Sequence, residues 1–115
     1  METKKAKRVD YFYGDGTCLK GKVSIRYEKL VELFGEPECG DDYETDAEWV
    51  VMFGNEVFTI YNWKNGKNYA GEFGDEVHNI VHWNIGGKTW AGDFIEYLEN
   101  ISSIPELKKI NNITL

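Results

Sequence analysis

Two runs of β-branched and aromatic residues, Ala47 to Phe53 and Val57 to Trp63, are divided only by Gly54-Asn55-Glu56. Residues of this kind favour a pleated, half-buried surface, and so short a glycine-asparagine break forces a tight antiparallel return. A central hairpin therefore fixes the class of fold, because every other element must pair with it or cover it.

Val9 to Tyr13 predicts a strand, Gly14-Asp15-Gly16 a turn, and Thr17 to Val23 the returning strand. Ser24 has helix N-cap chemistry, and Tyr27, Leu30, Val31 and Phe34 recur at helical spacing after it. Gly35 suits a left-handed C-cap and Pro37 blocks continuation. Lys64 to Asp75, rich in Gly, Asn and Lys, predicts a long exposed connection, and Val77 to Ile85 a last strand ending at Gly86-Gly87. Thr89 is placed to cap a helix from Trp90 to Glu99, with Phe94, Tyr97, Leu98 and Ile101 as its buried stripe. Ser103-Ile104-Pro105-Glu106 matches a capping box that opens a short C-terminal helix. The expected fold is α+β: an antiparallel sheet of about five strands, one helix after the second strand and two C-terminal helices.

A chain of 115 residues, 42% apolar and 29% charged, is one globular domain's worth. No apolar run approaches the ~20 residues that span a bilayer. Met1 to Arg8 has charge but no apolar stretch behind it, so no secretory signal is expected. The expected compartment is reducing, with Cys18 and Cys39 as free, semi-buried thiols. The net charge is −7. Residues 1–8 read as a basic leader carrying Lys4, Lys5, Lys7 and Arg8 against Glu2, which leaves residues 9–115, the single domain, markedly acidic. So negative a body repels phosphate backbones and suits a basic partner, though the same charge also serves solubility.

Catalytic signatures fail on inspection. Gly86-Gly87-Lys88-Thr89 resembles the end of a phosphate-binding loop, but His82 occupies the position of the required first glycine. Asp42, Glu44 and Asp46 alternate like the first ligands of a calcium loop, yet Ala47 and Phe53 stand where glycine and glutamate are needed. His78 and His82 lie in an expected strand without a third ligand. Cys39 has acids and no base beside it in sequence, and Cys18 has no adjacent base, so neither reads as an activated nucleophile. The sequence therefore reads as a binding protein, not an enzyme, with no cofactor and no metal.

Two features remain. Asp41, Asp42, Glu44, Asp46 and Glu48 form an acidic tract, and from Asp42 the acids fall on every second residue. In an extended chain this aligns carboxylates about 7 Å apart on one face, either a phosphate-like row or the solvated side of a protected edge. The other feature is a pair of aromatic-polar segments supplying Trp63, Lys64, Asn65 and Lys67 from one and Trp83, Asn84 and Lys88 from the other. If they meet in the sheet they offer stacking faces, amides and cations to a nucleotide-like ligand; otherwise they are core aromatics with polar ends.

Leu33-Phe34-Gly35-Glu36-Pro37, Ala47-Glu48-Trp49, Thr59-Ile60-Tyr61-Asn62-Trp63-Lys64 and Trp83-Asn84-Ile85-Gly86-Gly87 resemble the landmarks of a family of small uncharacterised tailed-bacteriophage proteins, over roughly Gly21 to Gly87. The resemblance implies no catalytic residues. By analogy with small acidic phage counter-defence proteins, it implies the cytoplasm of a bacterial host and one of two roles. One is inhibition of a basic host nucleic-acid-binding protein, of anti-CRISPR or anti-restriction type, through the acidic tract. The alternative is a sponge, possible as a homo-oligomer, that sequesters a cyclic nucleotide or ADP-ribose-type immune signal in the aromatic-amide segments. Neither role involves direct contact with nucleic acid or membrane.

Overall fold

The computed structural model describes residues 5–39 and 44–102. Five strands, β1 (Ala6–Arg8), β2 (Cys18–Ser24), β3 (Glu48–Phe53), β4 (Glu56–Tyr61) and β5 (His82–Gly87), form one antiparallel sheet in the order β1-β3-β4-β5-β2. Helix α1 (Tyr27–Phe34) follows β2, the short α2 (Lys67–Ala70) lies between β4 and β5, and α3 covers residues 92–102. The expected α+β class and the antiparallel sheet are those observed.

The central hairpin forms as its sequence requires, in the register Glu48↔Tyr61 to Phe53↔Glu56, with Gly54-Asn55 as the turn. Alternation then divides the sheet into two faces. On one, Trp49, Val51 and Phe53 of β3 join Phe58 and Ile60 of β4, Trp83 and Ile85 of β5 and Val23 of β2 in a core covered by Leu30 and Phe34 of α1 and Phe94 and Leu98 of α3. Phe94 stacks on Phe58 at 4.8 Å, and Trp49 meets Trp83 edge-on at 5.3 Å. Both buried indole N–H groups are satisfied, Trp49 donating to the Gly35 carbonyl (2.8 Å) and Trp83 to that of Ile25 (2.9 Å). Gly35 ends α1 at φ +82°, as its C-cap position predicts.

Several boundaries differ from the sequence reading. The first strand is Ala6–Arg8 rather than Val9 to Tyr13, so part of the basic leader belongs to the sheet. Arg8 holds it there by donating to the Phe34 and Glu36 carbonyls and pairing with Glu38 at 3.2 Å. Tyr11–Gly14 is instead a 3₁₀ turn that crosses the second face, with Gly14 seated on Val50 and Thr59. That crossing sends β1 and β2 to opposite edges of the sheet, so they do not form the expected hairpin.

Ser24 ends β2 and bonds His82 instead of capping α1, whose N-cap position is Arg26. The last strand begins at His82, because Val77–Asn79 forms a 3₁₀ turn, and the connection before it holds α2. Helix α3 begins at residue 92, past Thr89, whose hydroxyl donates to Glu56. Cys18 and Cys39 are free thiols, both exposed rather than half-buried. The capping box at Ser103 lies outside the described residues.

Candidate ligand cleft on the open face of the sheet

Among the described residues, the second face of the sheet is covered only in part, by the 3₁₀ turn over Val50 and Thr59. The strand register lays a polar row across the remainder: Glu48↔Tyr61, Tyr61↔Asn84 and Asn84↔Lys22. An acid, a phenol, an amide and an ammonium thus stand side by side on four successive strands, at roughly 4.8 Å strand spacing. Tyr61 is linked to Asn84 by a hydrogen bond. Burial raises the Tyr61 pKa; the bond to Asn84 works against that rise, while the charges of Glu48 and Cys18 add to it.

Beyond this row the sheet opens into a cleft of about 170 Å³, lined by Lys22, Trp63, Asn65, His82, Trp83 and Asn84. Its walls come from the loop after β4 and from two strands. Trp63 is 47% exposed and packs edge-on to Tyr61 at 6.4 Å. His82 is held by Ser24, with Nδ1 3.1 Å from the hydroxyl. Trp83 borders the cleft but is 1% exposed, and its indole is committed to the core. One aromatic face, two amides, a lysine and an imidazole therefore converge on a single concavity.

The wall carrying Trp63 and Asn65 is fixed from behind. Asn62 is fully buried; its Oδ1 accepts the backbone N–H groups of Asp46 (2.7 Å) and Ala47 (3.0 Å), and its Nδ2 donates to Asp46 (2.8 Å) and Asn65 (3.1 Å). The second oxygen of Asp46 accepts the backbone N–H of Asn68. Gly66 closes the loop, and any Cβ there would lie 2.0 Å from the Asp46 carboxylate. Lys64 has φ +62°, the one non-glycine residue in the left-handed region among the described residues, and its backbone N–H donates to the Glu44 carbonyl. Such a backbone is held only where its surroundings over-determine it. The Lys64 ammonium lies 5.5 Å from the Trp63 ring centre and 5.1 Å from that of Tyr69.

Of the residues expected to meet as a ligand site, Trp63, Asn65, Trp83 and Asn84 border one cleft, with Lys64 beside it. Lys67 and Lys88 do not line it: Lys67 pairs with Glu76 at 3.7 Å, and Lys88 reaches the Gly16 turn. Lys22 and His82 complete the lining; His82 opens the aromatic-polar segment that also supplies Trp83 and Asn84, whereas Lys22 escaped the sequence reading as a site residue. Only the strand pairing of β2 with β5 brings Lys22 to Asn84, and no local pattern announces it.

The acidic tract is less regular than alternation implied. Asp41 and Asp42 lie outside the described residues. Regular strand begins at Glu48, and residues 44–47 bend. Asp46 turns its carboxylate onto the Asn62 clamp, and Glu48 accepts from the Tyr11 hydroxyl at 3.4 Å. His78 and His82 lie on different elements, the 3₁₀ turn Val77–Asn79 and β5.

Comparison with known protein families, curated proteins and solved structures finds no match to this chain. Among the described residues, no helix is long and apolar enough to cross a membrane.

Proposed function

We propose that this is a non-enzymatic binding protein whose open-face cleft takes a nucleotide-derived anion, as a sponge for a cyclic nucleotide or ADP-ribose-type signal would. The supporting observation is the convergence of Trp63, Asn65, Asn84, His82 and Lys22 on one concavity. Trp63 offers a stacking face to a base, the two amides offer donors and acceptors to its edge, and Lys22 offers a charge to phosphate. Thermal-shift screening against cyclic nucleotides and ADP-ribose derivatives tests this, because a ligand that binds only the folded state stabilises it by mass action. A dose-dependent rise in Tm that Trp63→Ala abolishes is the expected result. No shift with any member of the panel at ~1 mM, where even weak sites fill, removes the reading.

A second reading, inhibition of a basic host nucleic-acid-binding protein, is favoured by the run from Glu36 to Glu48, which contains no Lys or Arg. Of its described acids, Asp46 is turned inward onto Asn62, while Glu36 and Glu38 stand exposed, Glu38 paired with Arg8 at 3.2 Å. Inhibition of this kind weakens steeply with added salt, whereas the cleft's stacking component does not.

A further inference from the structure

The 3₁₀ turn Tyr11–Gly14 presents three consecutive aromatic side chains at the surface, and Phe12 is 61% exposed. The turn is well held. Tyr13 N–H bonds to the Asp10 carbonyl (3.1 Å), Asp15 N–H to that of Phe12 (3.1 Å), and Thr17 donates both its N–H and its hydroxyl to that of Gly14. Tyr11 is tied to Glu48, and Phe12 and Tyr13 stack at 4.5 Å. A preorganised aromatic ridge costs little entropy to bury, and residues of this type dominate binding hot spots. Covering the sheet requires only the inner side of this turn, where Gly14 meets Val50 and Thr59. The outward exposure of Phe12 contributes nothing to the core.

Charge identifies the partner. Asp10 and Asp15 bracket the ridge, both exposed, and neither makes an ion pair among the described residues. Two carboxylates flanking stacked aromatic rings suit a guanidinium, which pairs with a carboxylate through its fork and lies flat on an aromatic face. A second copy of this chain fits less well, since both copies bear a net charge of −7. We infer that the Asp10–Asp15 ridge is a protein-docking surface for an arginine-rich partner segment, separate from the cleft and meeting the Glu36 to Glu48 tract only where Tyr11 bonds Glu48. The inference holds whether or not the cleft binds a ligand.

The test is an amide-resolved NMR titration of the full chain with a hexa-arginine peptide and, in parallel, with hexa-lysine. The expected result is saturable shift changes centred on residues 10–15, with hexa-arginine at least fivefold tighter than hexa-lysine. Phe12→Ser and the double substitution Asp10→Asn, Asp15→Asn should each weaken hexa-arginine at least fivefold while leaving the remaining spectrum unchanged. Because all three residues are exposed, these variants keep the fold. Shifts centred on residues 36–48, equal affinity for the two peptides, or indifference to both variants overturns the inference, as does self-association through the ridge without peptide.

Discussion

The side-chain amide of Asn62 lies 2.8 Å from the Asp46 carboxylate, while its carbonyl oxygen accepts backbone N–H groups from Asp46 and Ala47. One buried side chain thus joins the entry of β3 to the exit of β4. Removing it strands two backbone donors, and each buried unsatisfied donor costs about 1–3 kcal/mol. Asn62→Ala should therefore lower the unfolding free energy by roughly 2–4 kcal/mol in urea denaturation. Asp46→Asn keeps an oxygen for Asn62 but replaces the acceptor of the Asn68 N–H, so the smaller loss of about 1 kcal/mol is expected. Equal effects from both substitutions would contradict the clamp.

The cleft residues should separate binding from stability. Lys22 is exposed, so Lys22→Gln should change stability by no more than about 0.5 kcal/mol, whereas Trp63→Ala, which also gives up the ring contacts with Tyr61 and Lys64, should cost about 1–2 kcal/mol without unfolding the protein. In calorimetric titration with whichever nucleotide shifts the Tm, each should weaken binding about tenfold, equivalent to ~1.4 kcal/mol. Lys67→Gln, outside the lining, is the control and should bind like the parent. A Trp63→Ala protein that binds normally would place the ligand elsewhere.

How far the sequence revealed this molecule depended on the range of the interaction that set each feature. The hairpin from Glu48 to Tyr61 and the helix ending at Gly35 are determined within a few residues, and both were legible. The start of the chain misled because Val9 to Tyr13 has strand composition, whereas Arg8 reaching the carbonyls of Phe34 and Glu36 moves the strand earlier in the chain. Trp63 and Trp83 looked alike in sequence. Trp63 lies in the loop beyond the end of β4, on the open side, whereas the pairing of β5 with β4 and β2 turns Trp83 into the core, and only long-range pairing decides the latter. Asp46 looked like a surface acid because its partners, Asn62 and Asn68, lie sixteen and twenty-two residues away.

The two tryptophans yield a direct contrast in stability. Trp83 is fully packed, with its N–H on the Ile25 carbonyl, so Trp83→Phe loses that bond and opens a void. A loss of about 2–4 kcal/mol is expected from the two effects together. Trp90, largely exposed, should tolerate the same change within about 0.5 kcal/mol. Similar losses at both positions in parallel urea melts would refute this division between core and surface.

Stability should also fall in the alkaline range through two tyrosines. Burial raises the Tyr27 pKa first, reinforced by the charge of Glu36 and by the phenol's hydrogen bond to it at 3.4 Å. Burial likewise raises Tyr61, partly opposed by its bond to Asn84 and aided by Glu48. A raised phenol pKa means that the folded state holds its proton where the unfolded state has released it. The folded chain then binds more protons, and unfolding free energy decreases with rising pH. The stabilisation is fully present below about pH 10, the ordinary phenol value, and is lost as pH climbs from there through the folded-state values. Urea melts at stepped pH should show the decline steepening past that point. Tyr27→Phe and Tyr61→Phe, which remove the titrating group and keep the ring, should each flatten it. A parent curve no steeper than that of the double variant would show that these phenols keep ordinary proton affinity in the folded protein.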